Sequence, residues 1–187
     1  MSELPNLTPA VLLTCEQISG RVRELAEQIS ADCAGRELLV VGVLKGAWVF
    51  LADLVRLMAV PVTVDFLMVS SYDSGTSSSG TVKTALDLRS PVEGRDVLLV
   101  DDILDSGLTL RHVVDDLRRR NPRSIKVVVL LDKPERHRVE VTVDYIGFRI
   151  PNKFVVGYGV DYAERFRNLP YIGYIEEPTA ENSDSRT

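Results

Sequence analysis

Several features that would define other protein classes are scarce in this 187-residue chain. It has only two cysteines, Cys15 and Cys33, which are too few for a disulfide framework. Lys and Arg number 22 against 27 Asp and Glu, so the formal net charge is -5. Because nonspecific phosphate binding needs a basic excess, no nucleic-acid partner is expected. No segment supplies the roughly 18 consecutive apolar residues of a membrane helix, so no membrane partner is expected either.

The same scarcity extends to the two ends of the chain. The opening sequence MSELPNLTP has no Lys or Arg and no long apolar core, so we expect no targeting leader and a cytoplasmic protein. With 187 residues, 45% of them hydrophobic, the chain can bury one core but is short for two, which predicts a single domain over residues 1–175. Residues 176–187 have only Ala180 as an apolar side chain, which predicts a disordered acidic tail.

Hydrophobic periodicity alternates between strand and helix along the chain. Thr14 to Gln17 fits a capping box, and apolar residues then recur at helical spacing until Gly35 can end the helix. Further apolar patterns predict a helix over Ala47–Met58 and strands over Leu38–Val43, Val62–Val69, Val82–Asp87, Ile125–Leu131 and Val141–Phe148. This alternation is typical of an α/β fold in which helices cover a mainly parallel sheet.

One internal segment has neither period. Residues 70–80 are nearly all Ser, Gly, Thr or Asp, a composition too polar to pack and too rich in glycine to be stiff. Loops of this length inside a compact domain are often lids or binding loops. Ser71 and Tyr72 lie near the start of the segment, and the tyrosine favours the interpretation as a flexible lid over a binding site.

The most informative segment runs from Val97 to Thr109 and reads VLLVDDILDSGLT. Its apolar start predicts a buried parallel strand that ends at Asp101. Ligands of open α/β sheets bind outside the carboxyl ends of strands, so Asp101, Asp102 and Asp105 would project into such a crevice. Three carboxylates at this place can bind polyol hydroxyls or a divalent cation.

A short polar turn follows these acids. Residues 106–109 place hydroxyls and free backbone N–H groups at the start of a helix predicted over Leu110–Arg120. The N-terminus of a helix favours an anion, so the turn predicts a phosphate site. Carboxylates beside a phosphate site together indicate a sugar phosphate as the ligand.

The segment resembles the signature of the type I phosphoribosyltransferases, in which an apolar strand, two acids and a variable stretch precede Asp-[Ser/Thr]-Gly-x-Thr. Other segments resemble the hypoxanthine-guanine members of that family: Leu44-Lys45-Gly46 with 47–54, Ser70-Ser71-Tyr72, Leu131-Asp132-Lys133, and Lys153 to Tyr158 with Asp161-Tyr162 and Phe166-Arg167. The resemblance implies the family's fold with a small hood beside the main sheet. It also implies purine salvage, in which 5-phosphoribosyl pyrophosphate (PRPP) donates its phosphoribosyl group to N9 of hypoxanthine or guanine.

The resemblance further implies Mg2+ as cofactor, PRPP and a 6-oxopurine as substrates, and a homodimer or homotetramer. The residues that it implies are Asp105 as the catalytic base at N7; Lys45, Gly46, Asp101, Asp102, Ser106, Gly107, Leu108, Thr109 and Arg167 for PRPP; Lys133, Phe154, Val155 and Asp161 for the purine; and Asp101, Asp102 and Asp161 for the metal. Two positions depart from the family pattern. The first acid is often Glu and is the shorter Asp101 here, while Leu108 is apolar, so only its backbone can bind phosphate.

Three alternatives have distinct signatures. A sibling enzyme for another base, such as xanthine, would keep the PRPP signature and differ in the residues at the base edge. An RNA-binding regulator on the same fold should show a basic face, which the net acidity and scattered Lys and Arg do not suggest. A phosphorylated receiver domain would lack the Ser/Gly loop and the segment from Lys153 to Tyr158.

Overall fold

A computed structural model describes residues 8–71 and 82–175. The elements of this part of the chain are β1 (Ala10–Leu13), α1 (Cys15–Asp32), β2 (Leu38–Leu44), α2 (Trp48–Leu57), β3 (Val62–Ser71), β4 (Val82–Leu86), β5 (Asp96–Leu104), α3 (Leu108–Arg119), β6 (Ser124–Asp132), a 3₁₀ turn (Pro134–Arg136), β7 (Tyr145–Arg149), β8 (Phe154–Val156) and β9 (Ile172–Ile175).

The main sheet has six strands in the order β4-β3-β2-β5-β6-β7. Its neighbouring strands are parallel except β4, which pairs antiparallel with β3. Chain order reverses between β2 and β5, because β3 lies on one side of β2 whereas β5 and β6 extend the other side. Such a reversal opens a crevice at the carboxyl ends of the strands, which is where ligands bind in open α/β sheets.

Helices cover both faces of the main sheet. On one face α1 and α2 bury Leu25 and Leu54 against Val40 and Leu98 of the central strands. On the other face α3 packs against strand residues that alternate with Val40 and Leu98, such as Leu39 and Leu99. The apolar residues of α3 that are buried there are Leu110, Val113, Val114 and Leu117. Strands buried on both faces explain the continuous apolar runs of the sequence. The predicted α/β class with a mainly parallel sheet is confirmed.

A second, three-stranded antiparallel sheet, in the order β1-β9-β8, forms the hood that the family resemblance implied. Its strands have three or four residues each, too few for a clear period, so the sequence patterns did not reveal them. The capping box at Thr14 is confirmed, since its Oγ1 accepts from the Gln17 backbone N–H while the Gln17 side chain accepts from Thr14. Among the described residues, no helix is long and apolar enough to cross a membrane.

Two predicted strand boundaries were wrong by three residues or more. The strand predicted over Val141–Phe148 begins at Tyr145, because the carboxylate of Asp144 accepts the Val127 N–H and so takes a ladder hydrogen bond at that edge. The strand predicted to end at Asp101 continues to Leu104, because β6 keeps pairing with β5 that far. Tyr72, most of the predicted lid and the predicted tail lie outside the described residues.

Candidate active site

The reversal of strand order produces a cleft between β2 and β5. Their pairing stops at Gly42 and Val100, whereas β5 stays paired with β6 up to Leu104 and Asp132. The carboxyl end of β5 therefore borders open space on its β2 side. A cavity of about 250 Å³ fills this space, and its lining includes Gly46, Asp101, Asp102, Asp105, Ser106 and Thr109. With Gly107, seven of the predicted site residues thus line one cavity.

The turn into α3 is built to receive an anion. Gly107 has a left-handed φ of 82° and occupies the N-cap position, so it supplies no capping side chain. The first turn of α3 contains no acidic residue, and the helix dipole there is not offset by a neighbouring carboxylate in that turn. The helix includes Leu108 and Thr109, two residues earlier than predicted. A phosphate group can accept hydrogen bonds from the backbone of this turn.

Asp101, which is buried, and Asp102, which is half-buried, form an acidic pair on β5. Asp101 is only 6% exposed, and its Oδ1 accepts the Asp102 backbone N–H at 3.0 Å. Burial, followed by the neighbouring Asp102 charge, raises the pKa of Asp101 well above its usual value. Burial also raises the pKa of Asp102, partly offset by hydrogen bonds and by the positive charge of Arg167. Burial and the like charge both disfavour the ionised form of these carboxylates. A cation or a ligand rich in hydroxyl donors would stabilise that form.

Glycine is required where the next loop approaches this pair. A β-carbon on Gly46 would overlap the carboxylate of Asp102, so only glycine lets the turn after β2 lie against β5. Gly159, with φ of +101°, lies in turn on the Gly46 carbonyl, where a β-carbon would also overlap. These two close approaches join the turn after β2, the acidic pair and the segment after β8.

That segment holds a cluster of charged side chains around Arg167. Its Nη1 donates to the Gly159 carbonyl at 2.8 Å, and its Nη2 lies 2.9 Å from Oδ1 of Asp161. Glu164 contacts both predicted pyrophosphate-binding cations: Lys45 at 2.9 Å and Arg167 at 3.3 Å. The Nε of Arg167 is buried and has no hydrogen-bond partner among the described residues. Through Glu164, Lys45 of the turn after β2 is therefore brought into the same cluster as Asp161 and Arg167.

Asp105 stands beyond the acidic pair and faces two cations from one loop. Lys133 Nζ lies 3.5 Å from its Oδ2, and Arg136 Nε donates to its Oδ1 at 3.1 Å. The Lys133 side chain is only 8% exposed. This 3.5 Å contact is at the outer limit of a hydrogen bond, so the Lys133 ammonium can still donate to an acceptor that comes closer.

Phe154 and Val155 lie on β8 of the small sheet. The Phe154 ring is 45% exposed, a large apolar surface available for stacking, whereas Val155 is buried. Tyr162 meets Phe154 edge to face, with 5.3 Å between ring centroids and 88° between ring planes. A T-shaped contact occupies at most one face of the Phe154 ring.

The profile of the family described as "Phosphoribosyl transferase domain" matches residues 12–163. The chain belongs to the phosphoribosyltransferase family. Hypoxanthine-guanine phosphoribosyltransferase of Mycobacterium tuberculosis is 50% identical over 178 residues, covering 92% of this chain and 88% of that protein. A crystal structure of a hypoxanthine phosphoribosyltransferase from Staphylococcus aureus superposes with a TM-score of 0.86 at 44% identity, covering 91% of this chain and 92% of that one. The predicted family and fold are confirmed.

A further phosphoribosyltransferase relative is a larger protein. The bifunctional protein TilS/HprT of Listeria monocytogenes is 51% identical over 166 residues, which cover 89% of this chain but 26% of that protein. This chain therefore spans about a quarter of the length of that relative.

The donor set of this phosphoribosyltransferase fits Mg2+ bound together with substrate. Among residues 8–71 and 82–175 no group of three or more His, Cys, Asp or Glu side chains could hold a metal by itself. Mg2+ does not need one, since it usually keeps several waters and binds one or two carboxylates plus substrate phosphates. Asp101 and Asp102 supply such a pair. Asp161 is less available, because its oxygens already contact Arg167 and the Glu164 backbone N–H.

Asp101→Asn is expected to stabilise the substrate-free phosphoribosyltransferase, and more so as pH rises. The raised pKa means that the folded state holds a proton longer than the unfolded chain, so stability falls as pH rises through that range. Asparagine keeps the acceptor for the Asp102 N–H and removes the charge. We expect a free energy of unfolding higher by about 1–3 kcal/mol at pH 8 and a smaller gain at pH 5, measured by urea titration.

Asp96→Asn provides the matched control for this prediction. Asp96 begins the same strand and is 3% exposed, but it pairs with Arg123 at 3.1 Å and accepts from Ser124 at 2.6 Å. Its replacement should destabilise the fold, because it removes the charge by which this buried carboxylate pairs with Arg123. A loss of stability at pH 8 in Asp101→Asn similar to that in Asp96→Asn would contradict the expectation that the charge of Asp101 destabilises the substrate-free fold.

Proposed function

We propose that this chain is a hypoxanthine-guanine phosphoribosyltransferase that acts in purine salvage and forms IMP or GMP and pyrophosphate from PRPP and the base. The observation that carries the proposal is the position of Asp105. Its carboxylate lies two residues before Gly107, the N-cap of α3, and 3.5 Å from Nζ of the buried Lys133. A sugar phosphate on one side and a purine carbonyl on the other would meet at this carboxylate.

The charges around the cleft suit a reaction at the anomeric carbon. Pyrophosphate leaves with growing negative charge while the ribose becomes oxocarbenium-like, so cations on the leaving-group side stabilise the transition state. Lys45 and Arg167 supply them once the pyrophosphate replaces Glu164 as their partner. Asp101 and Asp102 lie next to the turn that carries Lys45, where they bind ribose hydroxyls. When bound, Mg2+ held by this pair would neutralise charge on the pyrophosphate.

The base is recognised by groups of complementary polarity. Lys133 donates to O6, the Val155 backbone contacts the base edge, and the Phe154 ring stacks on the purine. Asp105 then accepts or holds the N7 proton as N9 attacks, which is general base work. No covalent protein nucleophile is required.

A panel of bases tests the proposal directly. Purified protein with PRPP and Mg2+ should convert hypoxanthine and guanine to IMP and GMP, followed by absorbance, and should require the metal: EDTA should abolish turnover and added Mg2+ should restore it. Xanthine in the same panel identifies the sibling enzyme. Absence of IMP and GMP formation would exclude this function.

We also propose that the protein works in the cytoplasm as a homodimer or homotetramer. Trp48 supports self-association, since it is 49% exposed at the start of α2. It lies two residues after Gly46, so a second copy covering it would lie close to the cleft.

A further inference from the structure

Arg136 is not among the predicted site residues, yet of the cations in the described part of the chain it makes the shortest contact with Asp105. Its Nε donates to Oδ1 at 3.1 Å, whereas Lys133 approaches Oδ2 only to 3.5 Å. The first distance is a normal charge-assisted hydrogen bond and the second is at the limit of one. Oδ1 of Asp105 is therefore bound more strongly, by Arg136, than Oδ2 is by Lys133.

The loop that carries both cations is fastened to the signature segment by its backbone. Lys133 N–H donates to the Leu104 carbonyl at 2.9 Å, Arg138 N–H donates to the Ser106 carbonyl at 3.0 Å, and Arg136 N–H closes the 3₁₀ turn on the Lys133 carbonyl at 2.9 Å. The His137 side chain also contacts the residue from which the loop begins: its Nε2 lies 2.7 Å from Oδ1 of the buried Asp132. These contacts fix the origin of the Arg136 side chain relative to Asp105.

We propose that Arg136 is a positioning residue for the reaction: it holds Oδ1 of Asp105 so that Oδ2 faces the purine once Lys133 leaves that oxygen for O6. The inference rests on the proposed function. A 6-oxopurine offers Lys133 a better acceptor than the 3.5 Å contact, and its departure frees one carboxylate oxygen for N7. The Arg136 contact uses the other oxygen and is compatible with the bound base. A general base oriented by a third group is a recurring arrangement in catalysis.

The expected signature is in turnover rather than in stability. Arg136 and Asp105 are 44% and 37% exposed, and ion pairs of that exposure contribute little to folding. Orientation of a reacting group is more sensitive, since a displacement of about 1 Å can cost roughly 100-fold in rate. We expect Arg136→Met to lower the single-turnover rate with hypoxanthine by about 10- to 100-fold. KM for hypoxanthine should change little, because Lys133 and Phe154 remain.

The matched control is Arg138→Met, which changes the same charge in the same loop. The Arg138 side chain forms no hydrogen bond or ion pair with the described residues, while its backbone contact to Ser106 does not depend on the side chain. Its rate should stay within about twofold of the wild type, as expected for a surface substitution. Arg136→Lys should be intermediate, because lysine keeps the charge but lacks the planar guanidinium. Thermal denaturation verifies that each variant is folded.

A double-mutant cycle decides whether Arg136 acts through Asp105. If it does, Asp105→Asn and Asp105→Asn/Arg136→Met should have the same single-turnover rate, because the orientation of a disabled base no longer matters. Losses that multiply in the double variant, equal rates for Arg136→Met and Arg138→Met, or a raised KM with unchanged turnover would each overturn the inference. An inactive wild type would instead refute the proposed function, so the two failures are distinguishable.

Discussion

Asp105→Asn is expected to lower kcat by about 100- to 10,000-fold, the usual contribution of general acid–base catalysis. The asparagine amide has the shape of the carboxylate but cannot take or hold the N7 proton. It also loses its charge toward Lys133 and Arg136, which face the two oxygens at 3.5 and 3.1 Å. The phosphate turn and the acidic pair are unchanged, so the affinity for PRPP, measured by calorimetry, should be retained.

Asp115→Asn is the control for this variant. Asp115 lies on α3 and pairs only with Arg111 and Arg118 on the same helix, among the described contacts. It should turn over hypoxanthine at the wild-type rate. An unchanged kcat in Asp105→Asn would remove Asp105 from its assigned role, whereas a loss of PRPP affinity together with a lower melting temperature would indicate damage to the fold.

The sequence predicted the layers of the fold better than the edges of its strands. Continuous apolar runs such as Val97–Val100 indicate burial on both faces, a property of the strand itself. Where β5 ends depends on its neighbours: β2 stops pairing at Val100, but β6 continues to Leu104. No local pattern encodes this difference, and it is the difference that opens the cleft.

The site shows the same division between local and distant information. Asp101, Asp102, Asp105 and the phosphate turn were predictable because one segment contains them all. Arg136, Glu164 and Tyr162 were missed as contacts of Asp105, Lys45 and Phe154, since each pair joins segments that only the folded chain brings together. The sequence does show that Arg136 lies three residues after Lys133. Arginines are common on protein surfaces, however, so this spacing alone does not indicate a role in the site.

The wild-type enzyme is expected to reject adenine, with Lys133 as the main reason. A lysine ammonium has three donors and no acceptor, so it satisfies O6 of hypoxanthine or guanine but meets the amino group of adenine as a second donor. The Lys133 side chain is 8% exposed and close to Asp105 alone among the described side chains, so an adenine would leave a buried cation without its acceptor. Such a site discriminates by about 10,000-fold or more against the analogue that lacks the partner group.

Lys133→Ala should therefore raise KM for 6-oxopurines and narrow the ratio of kcat/KM between hypoxanthine and adenine. It should not create an efficient adenine enzyme, because no acceptor replaces the lost donor. Lys133→Met separates the charge from the volume: it removes the ammonium while filling most of the space, so it should match the alanine variant in base preference and exceed it in melting temperature. The measurement is kcat/KM for hypoxanthine, guanine and adenine in all three proteins. If the wild type uses adenine as well as hypoxanthine, or if both variants keep the wild-type ratio, Lys133 does not recognise O6.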